Sequence, residues 1–142
     1  MLSSKVEIDG RLTLEGDNVF KIAVEDARVR VYLTARGWEF RGSDKETEMD
    51  AYRDRQTGKL LFIEDISEDF PVTFLMGGLS LVEFGKIAHD LAPGINLLEV
   101  NSSWEGKPTT IVVAMTEAQV RSMFGKRTKM RRLPMNLVGL QV

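Results

Sequence analysis

The sequence predicts an α+β fold: a mostly antiparallel, strongly curved sheet or partial barrel, built as a strand meander, with two helices in the C-terminal half. Three observations predict it. Apolar and polar residues alternate through most of the first two-thirds of the chain. Two capping-box signatures, Ser80 with Glu83 and Thr116 with Gln119, appear only later. Strand and helix patterns are segregated rather than alternating as βαβ units. At 142 residues, 43% hydrophobic and 28% charged, the chain suits one globular domain spanning 1–142.

The elements follow in order. Val6 and Ile8 alternate with charged neighbours, and Leu12 and Leu14 continue beyond Asp9-Gly10. Asp-Gly between two alternating runs predicts a hairpin, because both turn positions favour positive φ. After a turn at residues 15–18, residues 19–25 form a third strand. Residues 28–34 give the clearest alternation: Val29, Val31 and Leu33 on one side, Arg28, Arg30, Tyr32 and Thr34 on the other. A bulge or turn at Gly37 then brings Trp38 and Phe40 inward. Residues 42–48 are a polar loop. Residues 49–55 and 60–65 form a hairpin, an acidic connection follows at 67–70, and Pro71 opens an apolar strand over 72–76.

Gly77-Gly78 ends that strand, and the capping box starts a helix at Leu81. Leu81, Phe84, Ala88 and Leu91 line one of its faces, and Pro93-Gly94 stops it. Residues 95–104 and 109–115 form another hairpin. The second box opens a helix carrying Val120, Met123 and Phe124 on one side, closed by Gly125. Beyond Pro134, residues 136–142 suit a final strand.

Composition narrows the chemistry. There is no cysteine, which excludes thiol nucleophiles, disulfides and thiolate metal sites. The one histidine, His89, excludes an imidazole-built zinc site. No nucleophile elbow, Walker loop or GxGxxG stands in the chain. Neither a metal nor a cofactor is expected. No run reaches the ~18 apolar residues of a membrane span, and the N-terminus lacks the pattern of a secretion signal. The expectation is a cytoplasmic protein without membrane contact.

The net charge of −2 conceals an asymmetry. Residues 1–106 carry 12 basic and 20 acidic side chains, whereas 107–142 carry 7 basic and 1 acidic. Five cations, Lys126, Arg127, Lys129, Arg131 and Arg132, fall within seven residues. Such a run suits phosphates of nucleic acid. It equally suits an acidic protein surface, the carbonyls of the helix end before it, or the chain's own acidic stretch at 64–69. Arg28, Arg30 and Tyr32, with Arg36, would extend it as a base-stacking strand face. As a plain solvent face of a sheet, they would carry no such role.

Three functions are compatible with this pattern. A non-catalytic binding or accessory protein of bacterial or phage type, docking on another protein, comes first, because two-signed charge favours steered association. Nucleic-acid binding through residues 126–132 comes second. A small-ligand-binding partial barrel, its pocket lined by Trp38, Phe40, Phe62 and Phe74, comes third.

Overall fold

The computed structural model describes residues 7–8, 12–13, 18–67, 69–104 and 107–133. Strands β1 (Glu7–Ile8) and β2 (Leu12–Thr13) pair antiparallel, as the hairpin pattern predicts; the Asp9-Gly10 turn lies outside the described residues. So does the strand expected over 136–142.

The other strands form one open sheet. They are β3 (Asn18–Ile22), β4 (Trp38–Ser43), β5 (Asp50–Asp54), β6 (Leu60–Asp65), β7 (Thr73–Gly77), β8 (Leu97–Trp104), β9 (Lys107–Ala114) and β10 (Met130–Arg132). Their order is β10-β8-β9-β3-β7-β6-β5-β4. Only β3 and β9 run parallel; the other neighbours are antiparallel. The class is therefore α+β with a mostly antiparallel sheet. The expected closure is absent: β4 and β10 lie at opposite borders, and the sheet is neither closed nor strongly curled.

Among the described residues there are three helices, not two. α1 (Asp26–Ala35) occupies the segment whose alternation predicted a strand. Val29, Val31 and Leu33 fit a period of two, but Val29 and Leu33 are also one helical turn apart. Those two are buried, while Val31 is 71% exposed, so the helical period wins. Asp26 and Arg30 pair across one turn at 3.0 Å. Longer contacts then fix the helix in place: Arg30 reaches Asp50 on β5, and Arg28 Nη2 donates to the Leu91 carbonyl at 2.9 Å.

α2 (Leu81–Leu91) and α3 (Glu117–Phe124) begin at the predicted boxes. In each, the cap hydroxyl accepts from the third residue's N–H at 3.1 Å, and that residue's side chain accepts from the cap N–H at 2.9 Å. Gly78 makes the tight turn before α2. A Cβ there would stand 3.0 Å from Lys59 Cβ and 3.1 Å from the Leu60 carbonyl oxygen, which explains the bare backbone at that position.

The sheet has a core on each face. Phe20, Ile22, Leu61, Ile63 and Leu75 face α1 and α2; Phe62, Phe74, Met76, Val100 and Val113 face the side that α3 covers. β7 is buried at every position, as a continuous apolar run implies for a strand covered on both sides. The Phe20 and Phe84 rings stack at 4.3 Å and anchor α2 over β3. Thr73, the one buried polar residue among those described, donates from Oγ1 to the Val24 carbonyl at 2.8 Å.

Candidate functional site

The cations expected to act together are divided by the fold. Lys126 and Arg127 occupy the turn after α3, Lys129 precedes β10, and Arg131 and Arg132 lie on β10. All five are exposed. The turn is held from within: Arg121 Nη1 donates to the Lys126 carbonyl, and Thr128 Oγ1 to that of Gly125, both at 2.8 Å. Residue 133 sets the facing of β10. Leu133 is buried in the α1/α2 core, so alternation puts Arg131 on that side. Met130 packs against the α3-side core, and Arg132 shares its side. Arg131 pairs with Glu99 on β8 at 3.2 Å, an exposed contact contributing ~0–1 kcal/mol. Lys126, Arg127, Lys129 and Arg132 form no ion pair among the described residues.

The acidic stretch does not receive this run. β6, which ends at Asp65, is five strand intervals from β10. Asp65 instead accepts from the Ser67 hydroxyl at 2.6 Å and the Ser67 N–H at 2.9 Å. These bonds hold its carboxyl below the usual range. Glu64 moves the other way, pushed up by burial and then by the neighbouring Glu48 carboxylate. No group of three or more metal-ligating side chains gathers among the described residues.

Arg28, Arg30 and Tyr32 sit on α1, over the other half of the sheet. β5, which Arg30 contacts, is six strand intervals from β10, roughly 29 Å at ~4.8 Å each. They do not form the strand face expected of them. Arg28 is bonded to the end of α2, and Arg30 is shared between Asp26 and Asp50, with the Tyr52 hydroxyl at 3.4 Å. Tyr32 donates to Asp90 at 2.5 Å, and the Arg36 guanidinium lies 3.5 Å from the centre of its ring. Burial, and then the Asp90 hydrogen bond and charge, push the Tyr32 phenol up to about 12.

Tyr32, Arg36 and Asp90 border a groove of about 240 Å³ between α1 and α2, with Trp38, Glu83 and Lys86 also lining it. Its polar groups largely satisfy one another. Glu83 closes the α2 capping box and meets Lys59 at 3.4 Å; Asp90 serves Tyr32 and lies 3.9 Å from Arg36. The aromatic pocket expected of a partial barrel does not form. Trp38 is buried on the α1/α2 face, whereas Phe62 and Phe74 are buried on the opposite face. Phe40 is 56% exposed, against the expected inward turn. The irregularity in β4 comes after Phe40, between Phe40 and Gly42, so it cannot redirect that ring. His89 is exposed in the last turn of α2.

Sequence reasoning passed over Glu39 and Arg41, and it placed Phe40 inside the fold rather than between them on the surface. They lie on β4, which has no neighbour on its outer side among the described residues. A large apolar side chain between opposite charges was the available signal. A scan against protein-family models finds no matching family, and searches of curated proteins and of solved structures return no similar chain.

Among the described residues, then, two surfaces stand out: the cationic border at β10 and the mixed border at β4. No helix among the described residues is long and apolar enough to cross a membrane.

Proposed function

We propose that this protein is a non-catalytic docking protein whose β10 border receives an acidic surface of another protein. One observation carries the reading. Lys126 and Arg127 in the turn that leads into β10, Lys129 just before it and Arg132 on it are all exposed and form no ion pair among the described residues. Clustered charge of one sign accelerates encounter with an oppositely charged partner and is screened by salt. Nucleic acid would be drawn by the same cations. That reading loses its stacking element, because Tyr32 lies across the sheet and is engaged by Asp90 and Arg36.

The test is fluorescence anisotropy with a labelled oligoglutamate peptide and with mixed DNA and RNA oligonucleotides, at low and high salt. The wild type is compared with Lys126, Arg127, Lys129 and Arg132 all changed to alanine. Peptide binding that weakens with salt and falls at least tenfold in the variant is expected. Oligonucleotide binding lost in the variant, with no peptide binding, would replace the protein partner by nucleic acid. Failure of both probes at low salt removes this border as an anion-binding surface.

A further inference from the structure

We propose that two copies of the chain pair through their β4 strands, antiparallel about a twofold axis at Phe40. This surface is distinct from the β10 border and does not depend on the function proposed for it. Among the described residues β4 has no neighbour on its outer side, which therefore presents the open hydrogen-bonding row of an edge strand. Its sequence is Trp38-Glu39-Phe40-Arg41-Gly42-Ser43. An antiparallel pairing centred on Phe40 sets Phe40 opposite its own copy. The same register sets Glu39 of each chain opposite Arg41 of the other. Both are exposed, and neither forms an ion pair among the described residues. The strand is complementary to itself in charge.

The facing agrees. Phe40 pairs with Tyr52, whose side chain belongs to the α1/α2 face, and the two rings meet edge-on at 5.7 Å. Glu39 therefore points to the other face. The register then shifts, so that Gly42 rather than Arg41 stands opposite Ala51, a residue of the α3-side core. Arg41 is the extra residue of the bulge and falls on the same side as Glu39. The cross-chain charges thus share one face, and the paired Phe40 rings share the other. The bulge also confines pairing to a short segment. A twofold contact consumes the β4 border of both copies, so this border yields a closed dimer rather than a growing sheet.

The experiment measures mass by size exclusion with light scattering across a concentration series of the full chain. The wild type is expected to rise from one chain mass toward two. Glu39→Lys and Arg41→Glu place like charges opposite each other, and each alone is expected to remain monomeric. Mixed in equal amounts, the two variants regain complementary pairs and are expected to form a one-to-one heterodimer. The double variant Glu39→Lys/Arg41→Glu is expected to dimerise with itself. Circular dichroism checks that each variant is folded, and Phe40→Lys gives an independent disruption of the same contact. A wild type that stays monomeric at the highest concentration overturns the proposal. So does a single charge variant that dimerises as the wild type does. A wild type that dimerises while the mixed variants stay monomeric overturns the register and with it the proposal.

Discussion

β4 and β10 border the same sheet, yet they would meet a second copy of the chain very differently. At β4, Glu39 and Arg41 flank Phe40, and a twofold pairing brings unlike charges together. At β10, the equivalent pairing about Arg131 sets that arginine against itself, and Lys129 and Arg132 add charge of the same sign. Like charges directly opposite on paired strands destabilise the pair. Cationic side chains also blunt edge strands against unwanted pairing. On the proposed readings, one border therefore suits its own kind and the other an acidic partner. Position in a sheet supplies the open backbone row, but side-chain sign decides what may use it.

The comparison can be broken from the core outward. Phe84 is fully buried, stacked on Phe20 near the middle of the sheet. Phe84→Ala should cost ~3–5 kcal/mol in denaturant-derived stability. Because both borders depend on the same core, peptide binding at β10 and self-pairing at β4 should then fail together as the chain unfolds.

A smaller change separates them. Arg30 ties α1 to β5, the neighbour of β4, through Asp50 and Asp26. Arg30→Met removes charge-assisted hydrogen bonds and should lower stability by ~1–3 kcal/mol. Dimerisation at β4 should weaken, while the salt-dependent peptide affinity at β10 stays within twofold of wild type. Equal loss at the two borders would show that they are not independent.

The smallest effect belongs to Tyr32, in the groove beside Trp38 of β4. Its phenol ionises near 12 in the folded chain, against an ordinary value of 10.0. The folded state therefore holds this proton more tightly than the unfolded state. The resulting stabilisation is fully present below pH 10 and is lost as the pH rises through about 12. Tyr32→Phe should make stability fall less steeply over that window, as read by melting temperature against pH. Peptide binding at β10, measured at neutral pH, should not change.

Local signals in the sequence were reliable where one short stretch contains the whole cause. Ser80 with Glu83 and Thr116 with Gln119 start helices because cap and partner lie on one turn. The hairpins of β5 with β6 and of β8 with β9 stand where alternating runs flank turn residues. The run of cations after α3 is exposed, a facing that its composition left open. The segment now seen as α1 misled, because Val29, Val31 and Leu33 satisfy two periods at once. Its remote contacts, Arg30 with Asp50 and Arg28 with Leu91, connect residues 20 and 63 positions apart. Nothing in residues 28–34 encodes those distances. Trp38, Phe40, Phe62 and Phe74 misled for a related reason: aromatic identity does not say which face of a sheet a strand presents.

The sequence by itself determined the class of fold, the two capped helices, the pairing of the local hairpins and the charge of the C-terminal run. These follow from interactions between residues close in the chain. Only the tertiary structure decided that the sheet stays open, that α1 is helical and that β4 and β10 are its borders among the described residues. Strand order depends on which distant segments pair and which core each side chain joins. That competition is settled by the simultaneous burial of both sheet faces, and no single segment carries enough of it to be read alone.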